Sequence, residues 1–588
     1  MRNVPFWRQI THAVLASLIS LVVVLAIVGG VLFLALHRSP EVPKDGWLVI
    51  DLHESLPEYA PPGSFPGGLM GGDTLTLQDA LDALAKASLD RRTRGVIWKL
   101  SAGNGAGWAK LQELRQATAA VRQAGKPVYA WADNLDLRTL YLAAACDSIY
   151  MPRGGYFSFQ GLRRESMHVK GTLDKLGIVP HVSKIREYKA AAELVMETET
   201  TPLVKERNQR MLDELWATVS GTIADDRGLV YADLLALLEH GALEPSEAAD
   251  AGVIDRVLYW QGLEARLLAE AHDPKAKLLP TVSPATYRDV AWKDLGRKGK
   301  ATVAVVHAQG MIGGRENGTN PVFGITMGHE SVVRELQRAR LDPDVAAIVF
   351  RVDSPGGDGL TSDLIGHEVA LCADAKPTVV SMVDVAASGG YQISFRATRL
   401  LADPLSVVGS IGSISAFFDL SGWYRKIGLS KDGVEAGPMA GLGRDDRAPT
   451  AQEWAAFTAS HYAGFNDWLQ QVADKRGLTF AEMEERAYGR IFHGEEAVRL
   501  GLIDGIGNLD QAVRLAAELA EIAPETPLTV VHLPERQSTL DQLLGHESGP
   551  ADPVALAVRW RLFNQLRSEW ALTRQLAATD AVLEPVPR

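Results

Sequence analysis

The chain of 588 residues reads as an α/β protein: two tandem βαβ domains, each on a mostly parallel sheet, behind an N-terminal transmembrane helix. Three observations predict this. Strand-like runs alternate with runs of helical period, the pattern of βαβ units. The order of those runs returns after about 250 residues, the mark of an internal duplication. And one stretch near the start, Ala13 to Leu36, carries no charge over 24 positions.

At ~1.5 Å per residue that stretch extends ~36 Å, enough for a ~30 Å hydrocarbon layer with some tilt. Leu34-Ala35-Leu36-His37-Arg38 offers no small-x-small cleavage site, so it reads as an uncleaved anchor. Arg2 and Arg8 precede it, and only Arg38 follows closely. The positive-inside bias puts residues 1–12 in the cytoplasm and the remaining ~550 residues across the membrane. In a bacterium this means the inner membrane, with the body in the periplasm.

The first copy, residues 45–271, opens on the strand-like Trp47 to Leu52, followed by a loop around Pro61 to Gly68. Thr76 to Ser88 has helical period, Gly95 to Leu100 reads as a strand, Ala109 to Ala124 as a helix closed by Gly125, and Lys126-Pro127-Val128-Tyr129-Ala130 as the next strand. The second copy, residues 300–530, repeats the order. Thr302 to Val306 and Ala347 to Val352 match the first two strands. Lys376-Pro377 repeats Lys126-Pro127 at an offset of 250, and Lys426-Ile427-Gly428-Leu429 repeats Lys175-Leu176-Gly177-Ile178 at 251. Glu496 to Asp504 repeats Glu247 to Asp255 at 249. His272 to Lys300 is a polar junction, Pro534 to Pro553 a loop, and Val554 to Ala578 (boundaries 554–578) a terminal amphipathic helix that docks on the core or on a neighbouring subunit.

Net charge is −12 with no basic stripe, which argues against a nucleic-acid partner. Cys146 and Cys372 lie in apolar runs and read as small buried hydrophobes. No clustered His/Cys spacing suggests a metal, and no cofactor is expected.

The candidate chemistry centres on Val383 to Tyr391. A strand-like run, Pro377 to Val383, leads into the small-residue turn Ala386-Ala387-Ser388-Gly389-Gly390. A serine at such a strand-to-helix corner is exposed beside free backbone N–H groups, a place for a nucleophile and an oxyanion site. Upstream, Asp353-Ser354-Pro355-Gly356-Gly357 lets backbone N–H groups approach a ligand without Cβ obstruction. The offset maps Ser388 to Leu137, so the first copy lacks the nucleophile.

A serine needs a base. His367, within the helical Ser362 to Ala373, and His461 are the nearest histidines in sequence. The alternative is a lysine made neutral by burial. Lys189, in Tyr188-Lys189-Ala190-Ala191-Ala192-Glu193 of the first copy, maps forward to Ala440, so the second copy lacks it. Each copy thus holds what the other misses.

These motifs, with Gly409-Ser410-Ile411-Gly412-Ser413, resemble the long, duplicated form of signal peptide peptidase A (protease IV), a membrane-anchored Ser/Lys peptidase family of the ClpP/crotonase-like fold. The resemblance covers about residues 45–530. It implies Ser388 as nucleophile, Lys189 as general base, Gly389 with Gly356 or Gly357 as oxyanion donors, and Ser410 as the hydroxyl that holds the lysine. It also implies peptide substrates, signal peptides left in the membrane among them, and a homo-oligomer, a tetramer with enclosed sites. Departures lie around the lysine: Glu187 precedes Tyr188, Ala190 stands for the usual Ser and Leu194 for the usual Pro. Glu187 is expected to pair with Lys189 and raise its pKa. Two competing readings are a catalytically inactive scaffold of the same fold and a crotonase-like acyl-CoA enzyme.

Overall fold

The computed structural model describes residues 42–59, 74–103, 105–158, 161–270, 277–321 and 324–535. All of these but Glu535 fall in one compact unit. The expected anchor at 13–36 and the terminal helix at 554–578 lie outside the described residues. Among the described residues no helix is long and apolar enough to cross a membrane.

Two parallel sheets carry the body, and their strand orders correspond. The first runs Thr281–Val282, Gly46–Leu52, Thr93–Leu100, Val128–Ala132, Ser148–Met151, Arg256–Val257. The second runs Leu528–Leu533, Ala301–Gln309, Val345–Ser354, Thr378–Ala387, Arg399–Ala402, Gly505–Ile506. Each strand of one sheet thus has its counterpart at the same place in the other. Beyond that shared order, Thr378–Ala387 also pairs with Val407–Gly409, which pairs antiparallel with Ile491–His493. Thr281–Val282, inside the stretch read as a junction, is the edge strand of the first sheet.

The strands read as near-continuous apolar runs because both sheet faces are covered. Along Ala301–Gln309, Val303 and Val305 face one core, while Ala304, Val306 and Ala308 face the other. Helix Leu509–Leu519 closes the smaller core, and Trp260–Ala269 does the same beneath Trp47 and Ile97 in the first copy. Helix starts follow their caps. Thr76 and Asp79 form a capping box for Leu77–Leu89, and Asn508 with Gln511 does so for Leu509–Leu519.

The copies are not beads on a string. Val383 and Leu405 of the second copy belong to the main core of the first. Strand Val179–Lys184 of the first copy pairs antiparallel with Ile414–Asp419 of the second, from Val179 against Asp419 to Lys184 against Ile414. Arg351, fully buried on the second sheet, is bound by Glu58 at 2.7 Å and Glu113 at 2.8 Å, both from the first copy. Such a charge is tolerated only because its hydrogen-bonding capacity is met on both sides.

Candidate active site

Strand Thr378–Ala387 ends at Ser388, which caps the short helix Gly389–Gln392. Ser388 sits at φ +57°, ψ −118°, a conformation that non-glycine residues rarely adopt. Its N–H donates to the Gly409 carbonyl at 2.8 Å, which fixes the corner and turns the side chain out of the sheet.

The paired-glycine turn lies alongside. Ser354 Oγ donates to the Gly310 carbonyl at 2.7 Å and accepts the Gly356 N–H at 3.2 Å. The Gly356 carbonyl accepts from the Ile312 N–H at 2.9 Å. Gly356 has φ +104°, and a Cβ there would stand 2.7 Å from the Gly389 nitrogen, so only glycine fits. Because Ser354 takes the Gly356 N–H, the donors left open are Gly357 and Gly389. Among the described residues neither of those N–H groups has an acceptor.

Lys189 reaches this corner from the first copy. The chain leaves strand Val179–Lys184, turns at Arg186 (φ +75°, ion-paired to Glu484), and places Lys189 just before the 3-10 turn Ala190–Ala192. Its Nζ lies 2.8 Å from Ser388 Oγ, 2.8 Å from the Ser410 carbonyl and 3.0 Å from Ser410 Oγ. The residue is 4% exposed, and burial alone lowers its pKa to about 7. A neutral amine has two N–H groups and one lone pair, so three neighbours satisfy it fully. In that neutral form, with both N–H groups on Ser410, the lone pair would face the Ser388 hydroxyl.

The arrangement is a buried, charge-depleted amine on a hydroxyl, beside two open amide donors. Such a constellation performs acyl transfer. Comparison with known proteins agrees. The model of peptidase family S49 matches residues 120–272 and again 370–523, together just over half of the chain. The chain belongs to peptidase family S49. It is a serine endopeptidase, and one matched segment lies in each copy. It is 30% identical over 472 residues to the chloroplastic serine protease SPPA of Arabidopsis thaliana, covering 80% of this chain and 69% of that one. It is also 30% identical to Protease 4 of Salmonella typhi (76% and 72% covered) and of Haemophilus influenzae (76% and 74%).

Of the departures noted around the lysine, the structure places Glu187 away from the amine. Glu187 was expected to pair with Lys189 and raise its pKa. Instead its carboxylate bonds the Tyr488 hydroxyl, and the Lys189 pKa moves down. His367 is exposed on helix Gly359–Ala375, away from the serine hydroxyl's bonds. His461 contacts Ser183 and Ser413, each at 2.8 Å, not Ser388. It thus ties the strand leading to Lys189 to the loop leaving Ser410. Sequence reasoning missed that role, and also Ser354, whose hydroxyl selects between the two glycine donors.

The first copy's counterpart corner is filled from within. Asp136 stands at the N-cap of Leu137–Ala143, the position Ser388 holds on its own helix, and its carboxylate accepts the Gly103 N–H at 3.0 Å.

Proposed function

We propose that this peptidase works through Ser388 as nucleophile and Lys189 as general base, with the Gly357 and Gly389 N–H groups as oxyanion donors and Ser410 orienting the amine. The observation that carries the reading is the 2.8 Å approach of a buried, charge-depleted Lys189 Nζ to Ser388 Oγ, one from each copy. As Oγ attacks a peptide carbonyl, Lys189 takes the hydroxyl proton, and the two amides bind the oxygen that gains charge. Collapse expels the amine, which receives the proton from Lys189 and leaves an acyl-enzyme on Ser388. Water, deprotonated by Lys189, releases the acid. On this reading the two copies are ClpP/crotonase-like domains.

The substrates on this reading are signal peptides left in the membrane after preprotein processing, and other short or unfolded polypeptides. Supporting it are the resemblance to signal peptide peptidase A and the uncharged 13–36 stretch, which would hold the body at the inner-membrane surface where apolar peptides partition. The test uses full-length protein in vesicles with a synthetic signal peptide, followed by mass spectrometry. Fragments should appear with the native protein and not with Ser388→Ala. Cleavage of casein but never of the signal peptide overturns the substrate assignment.

The duplication also supports a head-to-tail homo-oligomer, which the resemblance to signal peptide peptidase A makes a tetramer. An offset of 251 moves the inter-copy strand pair, 179–184 with 414–419, to 430–435 and 163–168. Among the described residues both segments lack strand partners, and they bare Val434 completely and Met167 to 77%. Likewise, helix Gly359–Ala375 bares Leu360 and Leu364, the counterparts of Ala109 and Glu113, which are buried between the copies. Repeating the internal contact between successive chains would cover these residues and close a ring. Val434→Pro, which removes a ladder N–H, should convert tetramers to smaller species by light scattering in detergent. A monomeric native protein sinks the ring.

A further inference from the structure

Between the two strands that carry the site, the ladder is interrupted. Val352 pairs with Met382 and Ser354 with Ala386, so a single residue, Asp353, faces three: Val383, Asp384 and Val385. This bulge re-aims the strand end so that Ser388 arrives beside the glycine turn. Side-chain bonds bridge it. Asp353 Oδ1 accepts the Val385 N–H at 3.2 Å, and Asp384 Oδ1 accepts the Ala109 and Lys110 N–H groups at 3.1 and 3.3 Å. Those amides open helix Trp108–Gln123 of the first copy, where a carboxylate is favoured. At Gly107 any Cβ would overlap the Asp384 carboxylate, at 1.9 Å.

The second oxygens of both carboxylates converge on one cation. Lys110 Nζ lies 2.8 Å from Asp353 Oδ2 and 3.4 Å from Asp384 Oδ2, and donates to the Leu56 carbonyl at 3.2 Å. Helix Trp108–Gln123 is itself pinned to the second sheet: Gln112 accepts the Leu405 N–H, and Glu113 binds Arg351. Lys110 therefore has a fixed position relative to the bulge. It differs sharply from Lys189, although both are buried first-copy lysines. Burial opposes the charge on each, but Asp353 and Asp384 outweigh it at Lys110, whereas hydroxyls and a carbonyl surround Lys189.

We propose that Lys110 is a positioning residue for the peptidase reaction: by joining Asp353 and Asp384 across the bulge it sets the spacing between the glycine turn and Ser388. This rests on the assignment of Ser388 and the Gly357/Gly389 amides above. Lys110 touches no substrate; it acts through the two aspartates, which stand three and four residues before Gly356 and Ser388. A loosened bulge should misplace the oxyanion donors relative to the attacking oxygen, lowering transition-state stabilisation more than ground-state binding.

The experiment compares full-chain Lys110→Met, and Lys110→Met with Asp384→Asn, against native protein, using a fluorogenic peptide and fluorophosphonate labelling. For Lys110→Met, kcat should fall about 10- to 100-fold with KM within about threefold, and labelling of Ser388 should slow in step. A native-like kcat in a folded Lys110→Met protein overturns the proposal, and so does a loss confined to KM. Where the single variant does not fold, the double variant decides, because it removes one of the two carboxylate charges left facing each other without Lys110. Native-like thermal unfolding with kcat still depressed supports positioning. Full recovery of kcat, or continued failure to fold, shows Lys110 to be only a countercharge or a structural element. If native protein itself is not labelled at Ser388, the assignment of the site fails instead, independently of Lys110.

Discussion

Ser388→Ala and Lys189→Met should each lower peptide hydrolysis by about 10⁴-fold or more, and the double variant should fall no further, because the two groups act in one step. On the proposed mechanism the serine supplies the bond-forming oxygen, and without the amine its proton has no acceptor: among the described residues Lys189 Nζ is the basic atom within reach. Lys189→Arg should fail almost as completely. A guanidinium stays charged at any workable pH and has no lone pair to offer, so preserving the charge preserves nothing the reaction needs. Fluorophosphonate labelling separates the parts: it should vanish with Ser388→Ala and slow strongly with Lys189→Met. Circular dichroism and thermal unfolding confirm that the variants are folded. A folded Lys189→Met protein retaining more than about one per cent of native turnover removes the amine from the mechanism.

The two ends of this site were legible in the sequence for different reasons. Ser388 announces itself locally, through a strand run broken by small residues. Lys189 does not; a Tyr-Lys-Ala run alone is a commonplace helix start. It stood out because the copy that keeps the lysine lacks the serine, and the reverse. What the linear pattern could not carry was anything decided by a single hydrogen bond. Gly356 and Gly357 are equivalent on paper until Ser354 Oγ claims one N–H. Glu187 sits two positions from Lys189, and only the fold sends it to Tyr488. Lys110 lies within a run correctly read as helix, where lysines are ordinarily solvated, and nothing local reveals that its ammonium faces two aspartates roughly 240 to 275 positions later. The paired strand order of the two sheets, by contrast, follows directly from the repeat.

The depressed lysine also fixes how activity and stability respond to pH. If Lys189 must be neutral, kcat/KM should rise about tenfold per pH unit below about 7 and level off above it, so that pH 5 costs about a hundredfold. In the unfolded chain the same amine holds its proton up to about 10.4. Between about 7 and that value the unfolded state binds more protons than the folded one, so this group's contribution to stability improves as pH rises through the window. Below about 7 its full cost applies. At ~1.4 kcal/mol for each tenfold, the cost at acid pH is roughly 4–5 kcal/mol, part of which Lys189 recovers through its bonds to Ser410. Lys189→Met, inactive, should therefore be more stable than the native protein at pH 6–7 by about 1–3 kcal/mol, since the site stores strain for function. That advantage should shrink steadily toward pH 10, as the native lysine no longer differs in charge between the two states. Chemical denaturation of both proteins across this range measures the difference directly, and other titrating groups cancel between them. A gap that stays constant with pH means that the amine is charged in the folded protein as in the unfolded one. An activity profile flat between pH 5 and 8 means that no base titrating near 7 takes part in the reaction.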